Sequence, residues 1–407
     1  ANIASPPTAC LASGTKPGGT LAFGSSINTI DPNFKFPQYQ KISAAYDHRF
    51  ANGIISTIEG LYTKSINDAF YTNLALVGPQ GTDSHGRVLY GTPTATGWTP
   101  VTSGGRTQVL DLGNSSGNYT YSITGTLQKS FSTSFDGSLS YTYSQARDVG
   151  SITSSTAGSN YRYARDVTGN LNDFSLTGSK NDMPHRISAI GTYHARTLTD
   201  ITVVYQGNSG APYDYVYGAG GGSGSGDLNG DGNSQNDLVY VPKDVRDPSE
   251  ILFTGYNDTT KAGSVAAQQA SLDKFINSVP CLRENRGKML SRNLCRNPWS
   301  NEFDISITQS LQAFHTQNVQ LRWDILNFGN LINSKWGRQF FSDQGATCGS
   351  ICSATVLLTQ TGNKIGTAVN GVNPTQGVYT FDSTLRPYSA QNASSNYRMQ
   401  LSLRYNF

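Results

Sequence analysis

The stretch DLNGDGNSQND, Asp227 to Asp237, places acid or amide oxygens at alternate positions. Asp227, Asn229, Asp231 and, through its backbone, Asn233 stand where a hard cation such as Ca2+ takes oxygen ligands, and Gly232 supplies the sharp bend. The twelfth position, where an EF-hand needs a bidentate glutamate, is Leu238, so Asp237 one residue earlier is the replacement. LVYVP follows and reads as a strand rather than an exiting helix, which argues against an EF-hand. Two readings stay open: a single Ca2+ pinning an outer loop, with Asp227, Asn229, Asp231, Asn233 and Asp237 as its residues, or a metal-free turn of the kind Asx residues build.

DSHGR, Asp83 to Arg87, gathers the residue types of a hydrolytic triad. A triad is assembled in space, and neighbours in sequence point different ways, so a polar loop is the expectation. No G-x-S-x-G elbow occurs, and His48, His185, His194 and His315 fall in or beside strands without clustered acids in the sequence. GAGGGSGSG, from Gly218, lacks the lysine of a phosphate-binding loop and reads as a linker. No enzyme and no organic cofactor is expected.

Five cysteines stand at positions 10, 281, 295, 348 and 352. Cys281 with Cys295 and Cys348 with Cys352 are the expected local disulfides of an oxidising compartment, since no histidine lies at zinc-ligand spacing to them. Cys10 is left over, and its partner is expected upstream.

These residues need a scaffold, and composition restricts it. Only 14% of the 407 residues are charged, about half the usual globular share, while Gly (43) and Tyr (22) are abundant. A net charge of +3 without basic runs gives no reason to expect nucleic acid as a partner. No apolar run approaches a membrane helix, and the mean hydropathy is −0.39. A transmembrane barrel has the same average, because every second residue faces its lumen.

The tail SNYRMQLSLRYNF alternates strictly: Tyr397, Met399, Leu401, Leu403, Tyr405 and Phe407 on one face, Arg398, Gln400, Ser402, Arg404 and Asn406 on the other. The same period runs through 119–131 and 135–144, and strands are also expected at 39–50, 54–66, 186–195, 200–207, 302–311 and 318–328. Short links at 51–53, 132–134, 196–199 and 312–317 alternate with long ones at 67–117, 145–185, 208–301 and 329–394. A soluble sandwich explains the alternation but not every second loop being long. Short turns on one side and long loops on the other predict an all-β fold, an antiparallel transmembrane β-barrel with long extracellular loops. VAAQQASLDKFINS, Val265 to Ser278, predicts a short loop helix packed through Leu272, Phe275 and Ile276 and ended before Pro280. Tyr119, Tyr143, Tyr205, Tyr405 and Trp323 are expected in the aromatic girdles, and Arg322, Asp324, Arg398 and Arg404 on the lumen wall.

Nine strands make the first and last parallel, so they cannot close an antiparallel barrel on their own. The expectation is the C-terminal half of a larger barrel, with residues 1 to about 37 as the end of an outer loop.

Several segments resemble the barrel of TonB-dependent outer-membrane receptors, particularly the Oar-like group. They are IDPNFKFPQYQKISAAYDHRF, YSITGTLQKSFSTSF with SYTYSQARDV, MPHRISAIGTYHA, QGNSGAPYDYVYG leading into the Asp227 stretch, WDILNFGNLINSKWGRQ and the terminal LSLRYNF, in order over nearly the whole chain. The resemblance implies a barrel of about 22 strands with an N-terminal plug, energised by TonB; plug, TonB box and the N-terminal strands have no counterpart here. It also implies that Leu403, Tyr405 and Phe407 form the signal read by the barrel assembly machinery. The expected role is uptake across the outer membrane of a Gram-negative bacterium of an unknown substrate held by the outer loops. The alternatives are a structural or adhesive barrel, and an outer-membrane hydrolase.

Overall fold

The computed structural model describes residues 26–103, 108–132, 134–162, 164–172, 175–219, 226–254, 263–312, 317–343, 354–366 and 375–406. The strands that matter here are β1 (Ser26–Ile30), β2 (Gln38–Arg49), β3 (Ile55–Asn73), β4 (Gln108–Ser115), β5 (Tyr119–Ser132), β6 (Phe135–Asp148), β7 (His185–Ala195), β8 (Thr199–Asn208), β9 (Pro212–Ala219), β10 (Ser300–Gln312), β11 (Asn318–Leu326), β12 (Ala354–Ile365), β13 (Thr375–Thr380) and β14 (Arg398–Asn406).

Nine of them, β2, β3, β5, β6, β7, β8, β10, β11 and β14, lie side by side in chain order, each antiparallel to the next. All nine expected strands are present. Among the described residues β2 and β14 run the same way and are not paired with each other, so the sheet is an open arc of barrel wall.

The wall's burial is the reverse of a soluble protein's. Ile42, Tyr46, Ile58, Ile123, Leu139, Tyr193, Leu401 and Leu403 are all exposed on its outer face. Across the strands they come into rows: Tyr62 faces Tyr121, and Ile307 faces Trp323, which faces Leu401. An apolar band of that extent is a lipid-facing surface, because water would not tolerate it. The opposite face carries paired Thr124 and Thr142 (2.9 Å) and Thr192 and Thr202 (3.0 Å), together with Arg322, whose guanidinium meets Asp324 at 2.9 Å.

Several expectations need correction. β3 continues past Ile66 to Asn73, because its upper end pairs with β4. β1 lies within the first 37 residues, yet it pairs parallel to β4 on the loop side and not with the wall. β11 stops at Leu326: Asn327 turns left-handed (φ 52°), donates its N–H to Asp304 at 2.8 Å, and starts a helical turn, Phe328–Ile332. Trp323 lies mid-strand, level with Ile307 and Leu401, and not at a girdle.

The histidine survey also missed a cluster. His194 sits between Asp200 (Nδ1, 2.7 Å) and Asp136 (Nε2, 3.0 Å) on the lumen side near the short turns. The acids belong to the neighbouring strands and only cross-strand register brings them in.

The largest difference lies in the loops. They contain most of the buried apolar side chains and fold into one packed body with its own sheet, in which β9 is flanked by the parallel β12 and by Cys295–Arg296, and β12 pairs with β13. The helix Val265–Ser278 closes the core, as its spacing predicts. Ser264 caps it by accepting from the Ala267 N–H, and Leu272, Phe275 and Ile276 are buried against Tyr215, Leu282 and Phe381. Fully burying such side chains contributes roughly 1.5–3 kcal/mol each.

Candidate functional site

The Asp227–Asp237 stretch is the hub of this loop body, not an exposed decoration. Asn229 and Asp231 are fully buried, and Asp227 and Asp237 are 3% and 2% exposed. It is covered from several loops at once. The Tyr90 N–H donates to the Asn229 carbonyl (2.6 Å), Asn229 Nδ2 donates to the Gly169 carbonyl (2.8 Å), and Gln108 Nε2 donates to Asn233 Oδ1 (3.1 Å). Gly230, at φ +75°, rests on the backbone of Gly91, and a Cβ there would lie 2.5 Å from the Gly91 Cα, so neither position has room for a side chain.

Within the stretch the oxygens turn the chain. Asp227 Oδ1 accepts from the N–H of Asn229 (3.2 Å) and of Gly230 (2.6 Å), and Oδ2 accepts from Gly232 (2.9 Å). Asn229 Oδ1 accepts from the Asp231 N–H (3.0 Å), and Asp231 Oδ1 accepts from the Asn233 N–H (2.7 Å). Asp231 Oδ2 takes the amide of Asn236 (2.7 Å). The chain then leaves extended, with Tyr240–Val241 paired to Lys288–Met289.

Asp237 faces elsewhere. Its Oδ2 accepts from the Leu228 N–H at 2.8 Å, and its Oδ1 lies 3.3 Å from Arg87 Nη1. Arg87 is buried, donates Nη2 to the Leu238 carbonyl (2.7 Å) and lies over the Tyr217 ring at 5.3 Å. No described basic side chain forms an ion pair with Asp227 or Asp231. Burial pushes the Asp231 carboxyl up to about 7, helped by the charge of Asp237, and raises Asp227 well above the ordinary range, helped by Asp231. Among the described residues no three His, Cys, Asp or Glu side chains are arranged to hold a metal, so any ion here would draw on amide and carbonyl oxygens as well.

DSHGR is a structural turn. Asp83 Oδ1 accepts from the N–H groups of His85 and Arg87, both at 2.8 Å, and the His85 ring stacks on Tyr240 with centroids 3.7 Å apart.

Cys281 and Cys295 form a disulfide with Cα atoms 5.4 Å apart, fastening the segment after the helix to the edge of the loop sheet. Cys10, Cys348, Cys352 and Phe407 lie outside the described residues, as do 220–225 of the glycine linker. Leu403 and Tyr405 stand on the outer face of β14, both exposed.

A second feature escaped sequence reasoning. A cavity inside the loop body is lined by Phe70, Ser151, Tyr161, Arg165, Lys180 and Arg292. Asp148 pairs with Arg292 at 2.7 Å and Asp214 with Arg165 at 3.3 Å. Lys180 has its pKa lowered by burial and by Arg165. A second cavity, against Thr63, Ser65 and Thr120 on the lumen face, shares Gly150, Ser151 and Ile152 with the first. These basic residues are widely spaced in the sequence and none belongs to a motif, so no linear signal marks them.

The family model described as an outer membrane beta barrel domain matches residues 2–356. Among curated proteins, no sequence matches the chain. Among solved structures, the outer membrane transporter YddB from Escherichia coli superposes with a TM-score of 0.40 at 10% identity, over 89% of this chain and 34% of that one. The chain therefore spans about a third of that protein's length.

Proposed function

The chain belongs to the outer membrane beta barrel domain family and resides in the outer membrane, and from that premise we propose that it is the wall and loop portion of a TonB-dependent receptor of the Oar-like group. In this reading it imports a solute captured by its loops.

The observation that carries the reading is the pair of cavities. Ser151 and its neighbours separate a pocket inside the loop body from one on the lumen wall, so a solute held above has a short way down once that segment shifts. A purely adhesive barrel has no use for such an arrangement. Arg165 and Arg292 are held by Asp214 and Asp148, so it is Lys180 that suits an anionic group on the solute, and the rings of Phe70 and Tyr161 suit an apolar body attached to it. In this reading the TonB contact falls to a plug domain. Leu403 and Tyr405, presented outward on the last strand, are where the assembly machinery would read the wall.

The test is solute depletion. Cells expressing the full-length receptor should remove from their medium a compound, followed by untargeted mass spectrometry, that cells lacking the receptor leave behind. Cells lacking TonB should leave it as well. Equal depletion by all three strains would refute transport. Loss in the receptor deletion alone would retain transport and remove TonB from it.

A further inference from the structure

Asn236 lies next to Asp231 and is 2% exposed, yet its side-chain oxygen has no hydrogen-bond partner among the described residues. Its amide nitrogen is fixed on Asp231 Oδ2 at 2.7 Å, which holds the unpartnered oxygen beside that carboxylate. A buried acceptor without a donor costs free energy, and so do two buried carboxylates without a cation. A single divalent ion removes both penalties. Asp237 already has a cation, since Arg87 Nη1 lies 3.3 Å from its Oδ1, whereas no described basic side chain forms an ion pair with Asp227 or Asp231.

We propose that the Asp227 stretch is a calcium site that clamps the loop body together, with Asp227, Asn229 and Asp231 as side-chain ligands and Asn236, not Asp237, completing the set. Oxygen-only donors, two of them carboxylates and two of them amides, match Ca2+, which accepts irregular shells of six to eight oxygens; Mg2+ demands a tighter octahedron. The ligand stretch also holds the loops at Tyr90, Gln108 and Gly169, so an ion that fixes it fixes them too. The site is independent of what the protein transports.

The experiment uses the purified full chain in detergent, stripped with EGTA. Calorimetric titration with CaCl2 should give saturable binding. Near-ultraviolet circular dichroism, which reads the packed loop tyrosines, should show a higher melting midpoint in Ca2+ than in EGTA, with Mg2+ much less effective. Asp231→Asn and Asn236→Leu should each weaken binding tenfold or more, and Asn236→Asp should tighten it. Asp237→Asn should lower the midpoint with and without Ca2+ while keeping the difference between them. No heat and no midpoint shift in the wild type would overturn the site. Full affinity in Asn236→Leu, with loss in Asp237→Asn, would overturn the assignment of Asn236.

Discussion

Arg87 Nη1 lies 3.3 Å from Asp237 Oδ1 in the interior of the loop body, joining two loops that leave different strands of the wall. Both side chains are almost completely buried, so each depends on the other for its charge to be tolerated. Arg87→Met leaves Asp237 unpaired and should destabilise the loop body by about 3–5 kcal/mol. Combining it with Asp237→Asn should recover a large part of that loss. Denaturant melts of the loop tyrosines for the two single variants and the double measure the coupling directly; additive losses would mean the pair is not a unit.

The disulfide is local, and its effect should be local. Replacing Cys281 and Cys295 by alanine removes a cross-link across 14 residues, worth about 2–3 kcal/mol in the denatured chain. The unfolding free energy of the loop body should fall by that amount, while the yield of assembled wall stays unchanged.

His85 gives the loop body a pH dependence of known sign. Burial, with Arg87 adding to it, lowers its pKa below 6.5 although Asp83 pulls the other way. The unfolded chain therefore takes up a proton near pH 6.5 that the folded chain refuses, and this contribution to stability is lost as pH falls from there toward the folded value. Asp231, with a raised pKa, acts in the opposite sense, so the diagnostic quantity is the difference between wild type and His85→Phe. That difference should shrink as pH drops from 7.5 to 5.5; a constant difference would show that His85 is not held neutral.

The two faces of the wall should respond differently to the same charge. Leu139 is outward on β6 and 49% exposed, and Ser140 beside it faces the lumen, 2.9 Å from Thr126 Oγ1. Leu139→Arg should cost about 2–4 kcal/mol at the bilayer midplane and reduce the protein recovered from outer membranes. Ser140→Arg should be recovered at close to wild-type yield.

The wall was legible in the sequence because lipid on one side and polar lumen on the other impose a period of two on every strand. From Tyr119 to Phe131, for example, the rule is broken only at Gly125 and Lys129. The loop body was not, although Tyr213, Tyr215 and Tyr217 alternate. β9 is buried on both faces, where the period carries no inside and outside, and its partner β12 comes from another loop far along the chain. The Asp227 stretch was visible as chemistry in an outer loop but not as the hub of a packed body, since nothing local says that Tyr90, Gln108 and Gly169 will cover it. Asn236 drew no notice for the same reason: an unsatisfied oxygen is a property of the surroundings and not of the residue.

The measurement that bears most directly on the account is the environment of two adjacent residues in the middle of the wall, Tyr141 and Thr142 of β6. Each is replaced by cysteine in a background whose native cysteines are serine, labelled with a small fluorophore, and reconstituted in bilayers. At Tyr141→Cys the label should be quenched by brominated lipid and spared by aqueous iodide, and at Thr142→Cys the reverse should hold. Equal quenching at the two positions, or iodide access at both, would contradict a lipid-facing wall and with it the transport reading built on it.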